Sequence, residues 1–350
     1  MQIAGSKELF EQVFDRDLCS VCGACVGICP YFKVHDGKVA KIFDCDLEQG
    51  RCHAQCPKTG VDFEKLSNNY FSQSYTENEL GTYQRIVAAK AGGTLTGNQF
   101  QNGGTVTALL VAALEKNLIE GAVLTDADGL LPVPKIAKST EEILACVSTK
   151  YSAAHTASLV NEAAKNNQQN LGVVGTACQL TGIANMRSNP LQKDGFVDPV
   201  NLVIGLFCTW SLDARKFRDY LAGRLDPATI TGMDVPPPPA EVFVVKTSTG
   251  NVEFPLAEIR ELIPGGCAVC PDMTAKWSDI SVGALEGKSN WNTLIIRSER
   301  GEKLVNEAVA AGYLELDDFQ AESLEHLTLG AGNKQKRAIE KQKQEDACQS

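Results

Sequence analysis

Cysteine is concentrated near the start of this chain, where seven of its thirteen cysteines fall within residues 19–56. The first four are separated by two, two and three residues, and a proline follows the last; they are Cys19, Cys22, Cys25 and Cys29. With this spacing, three thiolates from one tight loop bind a cubane iron–sulfur cluster, and the fourth binds a neighbouring cluster. A disulfide framework is the alternative, but cysteines two residues apart rarely bridge each other, and the rest of the chain is typical of a cytosolic protein. The segment therefore predicts a small domain built around iron–sulfur clusters.

The second half of this segment repeats the pattern irregularly. It contains Cys45, Cys52 and Cys56, and Cys56 is followed by a proline, as Cys29 is. In paired motifs of this kind, the cysteine before the proline binds the cluster of the other half. We therefore expect Cys56 to complete the cluster of the first three cysteines. Cys29, Cys45 and Cys52 then remain for a second cluster.

The second cluster lacks an evident fourth cysteine, because Gln49 stands where that cysteine would be expected. Three interpretations are open: a four-iron cluster with a non-cysteine ligand, a three-iron cluster, or a cysteine from elsewhere in the chain. We favour the four-iron cluster, whose unusual ligand would be Gln49, Asp46 or His53 and would shift its reduction potential. Of these, His53 is expected to be a surface residue rather than a ligand.

Charge and hydrophobic patterning argue against two classes of partner. The formal net charge is −10, and no basic stripe or run of aromatic residues with arginine opposes it, which argues against nucleic acid. The longest apolar runs, such as residues 106–114 and 200–207, are too short to span a bilayer. The first residues carry no signal-peptide pattern, so we expect a cytoplasmic protein whose thiols stay reduced and available to metal.

Local patterns predict an α/β protein of two domains. Residues 1–62 are predicted as a small ferredoxin-like iron–sulfur domain, 63–82 as a polar connector, 83–332 as a larger α/β domain, and 333–350 as a charged tail that frays or lies on a partner. Cys348, in the tail, is expected to be unligated. Periodicity in the larger domain predicts strands at 85–90, 121–125, 171–175, 201–206, 280–285 and 293–296, helices at 104–116, 140–146, 156–166, 212–224 and 300–311, a hairpin over 242–255 and a proline-rich loop at 236–239.

The larger domain carries a second group of cysteines. Cys178 and Cys208 each follow a continuous apolar run, and Cys267 and Cys270 form a Cys-x2-Cys motif in a glycine-rich loop. Parallel strands end at the same edge of a sheet, so the first two are expected side by side, with the loop closing over them. Four thiolates suit a cubane or structural zinc, and we favour the cubane because zinc sites usually pair two Cys-x2-Cys motifs. Cys146 is expected in the core.

Several motifs in residues 83–343 resemble one family, the β-subunits of coenzyme F420-reducing hydrogenases and F420-linked formate dehydrogenases. The motifs that carry the resemblance are Gln101–Leu110, Ser148–Ser152, Gly175–Gln179, Gly265–Asp272 and Asn290–Arg297. A two-cluster module fused to such a domain resembles the input subunit of the F420H2 dehydrogenase. The irregular spacing from Cys45 to Cys52 departs from that pattern and puts the ligands of the second cluster in doubt.

The resemblance implies that the larger domain is a flavin and iron–sulfur domain. One cubane would lie on Cys178, Cys208, Cys267 and Cys270, beside an FAD that exchanges hydride with F420. Lys150 would place a positive charge near phosphate or near the flavin ring and act as the catalytic residue. The implied flavin contacts are Asn102, Gly103, Gly104, Thr105, Thr107, Thr149, Lys150, Tyr151, Ser152, Trp291, Asn292 and Thr293.

We therefore expect an electron-transfer oxidoreductase subunit of anaerobic metabolism. FAD would accept hydride from F420 or another carrier, and three iron–sulfur clusters would pass single electrons to or from a partner such as a formate dehydrogenase, a hydrogenase or a heterodisulfide reductase-like assembly. Two alternatives are open. One is an electron relay within such an assembly that has no hydride substrate of its own, and the other is a reductase of an organic substrate, because the family also resembles a chlorophyll-pathway reductase.

Overall fold

An eight-stranded mixed sheet forms the centre of the computed structural model, which describes residues 2–237 and 239–347. The order across this sheet is β13-β3-β12-β11-β7-β6-β4-β5, and a hairpin and a three-stranded sheet complete the β-structure. The strands are β1 Phe32–His35, β2 Lys38–Lys41, β3 Arg85–Ala91, β4 Gly121–Asp128, β5 Leu131–Ala137, β6 Leu171–Thr176, β7 Val200–Leu206, β8 Ile230–Asp234, β9 Val242–Thr247, β10 Gly250–Pro255, β11 Ile280–Ala284, β12 Asn292–Ile296 and β13 Leu314–Asp317.

Helices cover both faces of the large sheet. They are α1 Ser6–Leu9, α2 Arg51–Gln55, α3 Phe63–Phe71, α4 Thr105–Glu115, α5 Thr140–Ala145, α6 Thr156–Lys165, α7 Ala177–Arg187, α8 Ala214–Leu221, α9 Leu256–Arg260, α10 Gly265–Ala268, α11 Glu299–Ala310 and α12 Ala321–Ala347, with a π-helical turn at Phe10–Phe14 and 3-10 turns at Gly93–Leu95 and Pro227–Thr229. Within the described residues, no helix combines the length and apolar character needed to cross a membrane.

The central strands β4, β6, β7 and β11 run parallel to one another. Successive side chains along β6 and β7 enter opposite cores: Val173 and Val203 pack towards α6 and α7, while Val174 and Ile204 pack towards α4 and α11. Burial on both faces explains why these strands are continuous apolar runs in the sequence. The mixed α/β fold is confirmed, and the strands expected at these positions agree with the structure to within one residue, except that β4 continues three residues further, to Asp128.

The smaller sheet, in the order β10-β9-β8, has its own core against α8 and α9. The expected hairpin is present, with β9 paired antiparallel to β10 from Val242 opposite Pro255 to Thr247 opposite Gly250. The helix expected over 212–224 is shorter, at Ala214–Leu221, because the Asp213 carboxylate caps its first turn by accepting from the backbone N–H groups of Arg215 and Lys216.

The cysteine-rich N-terminal part packs directly on the larger one. On α6, the Asn161 amide donates to the backbone carbonyls of Ala24 and Val26 at 3.0 and 2.7 Å. On α7, Gly182 lies so close to Ala24 that a Cβ added at Gly182 would lie 2.7 Å from the Ala24 Cβ. This close approach of two backbones requires glycine.

The segments predicted as a connector and as a charged tail both contain helix, which the sequence analysis did not predict. In residues 63–82, α3 buries Leu66 against Trp277, and the ring of Phe63 stacks on the same tryptophan at 6.2 Å. Residues 333–347 belong to α12, which lies on this chain through buried Ala331, Lys334 and Ala338. Three residues spaced by three and four along a helix share one face, and that narrow stripe is hidden among charged neighbours in the sequence. Cys348 lies outside the described residues.

Strands β5, β8 and β13 are also absent from the sequence-based expectations. Strand β5 contains Pro132 and Pro134, which argue against a central strand. The structure places β5 at the edge of the large sheet, where proline is tolerated because one side of the strand makes no ladder bonds.

Candidate functional site

Four cysteines gather at the carboxyl edge of the large sheet, as the sequence predicts; we call Cys178, Cys208, Cys267 and Cys270 the inner set. Cys178 is the second residue of α7, which follows β6 without a break, and Cys208 lies two residues beyond β7. The two strands are adjacent and parallel, with Thr176 opposite Leu206, so both cysteines reach the same edge.

The loop that carries the other two cysteines closes over them. A backbone bond from the Cys208 N–H to the Met273 carbonyl, at 2.9 Å, ties this loop to the end of β7. Burial raises the pKa of Cys208 to about 11; the charge of Lys334 opposes that rise and the charges of Cys178 and Cys270 add to it. Burial likewise raises the pKa of Cys267 to about 12, with further rises from Cys208 and Cys178. The four thiols therefore lie within electrostatic range of one another.

A second group, the middle set, consists of Cys19, Cys22, Cys25 and Cys56. Burial raises the pKa of Cys25 well above its usual value, and the charges of Cys56, Cys22 and Cys19 add to that rise. Burial also raises the pKa of Cys56 to about 12, with a further rise from Cys19. Cys56 thus returns to the loop of the first three cysteines, as its position before a proline predicts.

The outer set consists of Cys29, Cys45 and Cys52. Burial raises the pKa of Cys52 to about 11. A hydrogen bond from the backbone of His53 opposes this rise, and the charges of Cys29 and Cys45 add smaller increases. Cys45 lies in a segment, Ile42–Gln49, that is otherwise exposed at every residue. The outer set therefore borders an exposed segment of the chain.

The expectation that His53 is a surface residue is wrong. Its side chain is 2% exposed, and its Nε2 lies 3.2 Å from the Gln12 Oε1. Burial lowers the pKa of His53. The two other candidates for a fourth ligand, Asp46 and Gln49, are both exposed.

The three sets follow one another through the molecule. The charge of Cys178, in the inner set, contributes to raising the pKa of both Cys19 and Cys22 in the middle set, after the larger effect of burial. The charge of Cys52, in the outer set, contributes in the same way to Cys25. Lys58 also connects the inner and middle sets. It lies two residues after Cys56 of the middle set, and its ammonium donates at 2.6 Å to the carbonyl of Gly266, the residue before Cys267 of the inner set. The order is inner, middle, outer.

Across the described ranges, no three or more His, Cys, Asp or Glu side chains converge on a point that would hold a single metal ion. A cubane binds its thiolates at separate iron corners, so its cysteines do not need to converge on one point.

A residue beside the inner set that the sequence did not single out is Lys334, on α12. It is 4% exposed, and its ammonium donates to the carbonyls of Cys208 at 2.6 Å and Asp272 at 2.8 Å. Burial acts to lower the pKa of Lys334, but the nearby charges of Cys270, Cys208, Asp272 and Cys267 together raise it. In the sequence, the spacing of Ala331, Lys334 and Ala338 could have indicated that one face of this helix is packed, but not that the face packs against the inner set.

Residues of the implied flavin site come together at the start of α4. The backbone N–H of Thr105 faces the Asn292 Oδ1 at 3.4 Å, and the Thr105 hydroxyl donates to the Ala89 carbonyl at 3.1 Å. Gly104 is left-handed, with φ of 72°, and no side chain at that position caps the helix. A Cβ at Gly103 would lie 2.6 Å from the Asn292 Oδ1. This helix N-terminus is therefore close-packed by backbone and short side chains.

A second strip of the implied site, residues 149–152, joins the first through Gln101. The Gln101 side chain accepts from the Thr149 N–H at 2.7 Å and donates to the Met233 carbonyl at 3.1 Å. The Tyr151 ring packs edge-on against Phe243 at 5.2 Å, and burial raises its pKa to about 12. Ser152 is buried beside α8, through a bridge to Leu212.

Lys150 faces the end of a helix. Its ammonium donates to the carbonyls of Cys146, Val147 and Ser148 at 3.0–3.2 Å, just beyond the last residue of α5. Burial lowers the pKa of Lys150. A cation in this position stabilises the negative end of the helix dipole.

The remaining implied contacts lie at the start of β12 and on α4. The Trp291 ring has two ammonium groups over it, those of Lys288 at 3.8 Å and Lys90 at 5.0 Å. Thr293 is buried and donates from its hydroxyl to the Ala284 carbonyl at 3.3 Å. Neither lysine was expected from the sequence, and only the pairing of β3 with β12 brings Lys90 to this side. Asn102 is exposed and Thr107 is half-buried.

Comparison with known proteins gives the same family along most of the chain. The model for the N-terminal part of the "Coenzyme F420 hydrogenase/dehydrogenase, beta subunit" matches residues 86–161, and the model for the C-terminal part of the same protein matches residues 168–322. The coenzyme F420 hydrogenase subunit beta of Methanococcus voltae is 30% identical, over 69% of this chain and 88% of that protein.

Two further relatives extend the comparison. The coenzyme F420-dependent sulfite reductase of Methanocaldococcus jannaschii is 26% identical over 88% of this chain but only 49% of its own length. A match of that extent includes part of the N-terminal cysteine-rich segment. A chain in the solved structure of the F420-reducing NiFe hydrogenase complex from Methanosarcina barkeri has a TM-score of 0.69 and 25% identity, covering 75% of this chain and 92% of that one.

The fold and these matches define the class of protein as an oxidoreductase subunit. More specifically, the chain belongs to the family of coenzyme F420 hydrogenase/dehydrogenase beta subunits.

Proposed function

We propose that this chain is an iron–sulfur flavoprotein subunit that transfers electrons between a hydride carrier and a partner redox enzyme. The hydride carrier is F420 or a similar molecule acting through FAD in the larger domain. The observation that carries the proposal is the succession of the three cysteine sets, in which the middle set adjoins both the inner set at the edge of the large sheet and the outer set beside the exposed segment around Cys45. A relay of one-electron centres needs neighbouring centres in such a succession.

Unpartnered polar atoms around the cysteines fit bound clusters. The Ser20 hydroxyl, the His53 Nδ1 and the Gln55 amide are buried without a hydrogen-bond partner, and each lies next in sequence to Cys19, Cys52 or Cys56. Buried polar atoms are normally satisfied, and the sulfur atoms of a cluster accept hydrogen bonds. The raised pKa values of the buried thiols point the same way, because iron compensates the thiolate charge that burial disfavours. We assign the fourth ligand of the outer cluster to a non-cysteine side chain.

The start of α4 fits the phosphates of FAD. No side chain at Gly104 caps this eleven-residue helix; the N–H of Thr105 faces the Asn292 Oδ1, and the N–H groups of Val106 and Thr107 are available to an anion. Asn292 and Gln101 hold the neighbouring segments in position through the hydrogen bonds described above. FAD, when bound, supplies the exchange between a two-electron hydride and single electrons. On the Trp291 side of the site, the ammonium groups of Lys288 and Lys90 lie over the ring, and each is paired with a carboxylate, Asp317 for Lys288 and Glu315 for Lys90.

The likeness to a chain of a hydrogenase complex supports a multi-subunit partner, and the outer set, beside the exposed segment around Cys45, is the side from which electrons would pass to it. The match to about half of the F420-dependent sulfite reductase indicates that related domains also occur within larger polypeptides. The alternative is an electron relay within such an assembly, with no hydride substrate of its own.

Stopped-flow reduction distinguishes the two. The anaerobically purified protein is mixed with F420H2, and the flavin absorbance is expected to bleach before the clusters are reduced. NAD(P)H serves as the comparison carrier. If neither carrier bleaches the flavin while electrons from a partner reduce it, the chain is a relay or a reductase of an organic substrate, and the proposed hydride transfer is wrong.

Iron content tests the number of clusters. Three four-iron clusters predict about twelve irons and about twelve sulfides per chain after anaerobic purification, or about eleven irons if the outer cluster has three. A value near four would contradict the assignment of both N-terminal sets, and stoichiometric zinc would contradict the inner cluster.

Lys150 is expected to influence the flavin as well as α5. Lys150→Ala should lower the flavin reduction potential or weaken FAD binding, and a loss of about 1.4 kcal/mol would weaken binding about tenfold. The potential is read by redox titration of the flavin and the occupancy by FAD released on denaturation. If stability falls while potential and FAD content stay unchanged, Lys150 only caps α5, and the flavin does not lie beside it.

A further inference from the structure

The C-terminal helix α12 brings one buried charge to the inner set. Lys334 is 4% exposed, and its ammonium lies 2.6 Å from the Cys208 carbonyl and 2.8 Å from the Asp272 carbonyl. The first carbonyl belongs to the segment after β7 and the second to the loop after Cys270, so one side chain bridges the two halves of the inner set. The Cys270 Sγ lies 3.8 Å from the same Asp272 carbonyl.

The Lys334 ammonium lies among acidic groups of the inner set, with which its charge interacts. The ionisable groups that act on it are Cys270, Cys208, Asp272 and Cys267, all of which are acidic. The Asp272 carboxylate is engaged elsewhere, since it accepts from the backbone N–H groups of Thr274 and Lys276 at 3.0 and 2.9 Å. Lys334 therefore holds a buried positive charge against the carbonyls of Cys208 and Asp272, and interactions of buried charges are only weakly screened by salt.

We propose that Lys334 is a positioning residue that holds the inner cysteines together and sets the reduction potential of the cluster they bind. The inference rests on the proposed function, because it needs that cluster. A reduced cluster carries one more negative charge than an oxidised one, so a fixed cation beside it favours the reduced form and raises the potential. The charge of Lys334 thereby favours reduction of the inner cluster, which is the cluster that exchanges electrons with the flavin.

The test is an EPR-monitored redox titration of the full chain, purified anaerobically. The signal that disappears in Cys267→Ala identifies the inner cluster. Lys334→Met removes the charge and keeps much of the apolar stem, and it should shift the equilibrium between oxidised and reduced inner cluster about tenfold towards the oxidised form. For a one-electron couple this corresponds to a midpoint lower by about 59 mV.

Two control variants separate charge from packing. Lys334→Arg keeps the charge and should leave the midpoint near that of the wild type. Lys276→Met removes another lysine that donates to a backbone carbonyl, that of Asn78 at 2.6 Å, but that has no cysteine among its charged neighbours. It should leave the midpoint of the inner cluster unchanged.

An unchanged midpoint in Lys334→Met, or an equal fall in Lys334→Arg, would overturn the proposal. If Lys334→Met loses the inner cluster, Lys334→Arg decides: a cluster with the wild-type midpoint supports the role of the charge, and loss in both variants contradicts it. A wild-type protein without any cluster on the inner set would instead overturn the proposed function, and iron analysis reveals that outcome separately.

Discussion

Cys267→Ala is expected to stop electron flow between the flavin and the N-terminal clusters while leaving the flavin bound. Cys267 is a member of the inner set, on α10, whereas the proposed FAD contacts lie on α4, β12 and residues 149–152. Alanine is chosen because a serine oxygen can replace sulfur as an iron ligand. Iron content should fall by about four per chain, and the turnover with F420H2 and an acceptor that draws from the outer cluster should fall by at least about 100-fold.

The matched control is Cys146→Ser. Cys146 is half-buried at the end of α5, and no other cysteine contributes to its raised pKa, which burial causes. This variant should keep the full iron content and the full turnover. If Cys267→Ala retained turnover with the same acceptor, the proposed order of inner, middle and outer sets would be wrong.

Arg297→Met is expected to give the largest loss of stability outside the clusters. The guanidinium is 2% exposed and donates to the carbonyls of Leu80, Thr82 and Thr274 at 2.7–3.2 Å, and also to the hydroxyls of Thr274 and Ser281. Methionine fills similar space but removes all five of these bonds. The Leu80 carbonyl and the Ser281 hydroxyl keep other partners, whereas the carbonyls of Thr82 and Thr274 lose the guanidinium donor, at about 1–3 kcal/mol for each unsatisfied group. We expect a total of about 3–5 kcal/mol, because part of the site relaxes.

The fall in the midpoint of urea unfolding, followed by circular dichroism, measures this effect. Arg85→Met is the control, because Arg85 forms a half-exposed ion pair with Glu302 at 2.9 Å, and such pairs contribute about 0–1 kcal/mol. Equal losses in the two variants would show that the buried network around Arg297 contributes no more than a surface pair.

The grouping of the N-terminal cysteines could be predicted because it is local, whereas their binding of clusters stays a prediction. A short loop limits which thiols can meet, and the proline after Cys29 and after Cys56 is the signal by which each was expected to bind the cluster of the other half. The central strands were predicted for a similar reason: burial on both faces demands continuous apolar residues, which the sequence displays directly. Cys178 and Cys208 could be paired because parallel strands end at the same edge.

Other parts of the site depend on contacts between distant segments. His53 was expected at the surface, but its position depends on how α2 packs against Gln12. Lys334 lies in a polar stretch whose buried stripe is narrow, and only the docking of α12 brings it to Cys208. Lys90 and Trp291 meet because β3 pairs with β12.

The sequence by itself therefore determined which residues can form the cysteine sets, the α/β class and the main strands, because these follow from spacing and from burial within short segments. Only the tertiary structure decided how the sets follow one another, that residues 333–347 pack on this chain, and which buried cation adjoins the inner set. The physical reason is that a charge acts on a thiol through their separation in space. Cys208 and Lys334 are 126 residues apart in the sequence and become neighbours only when α12 packs on the rest of the chain.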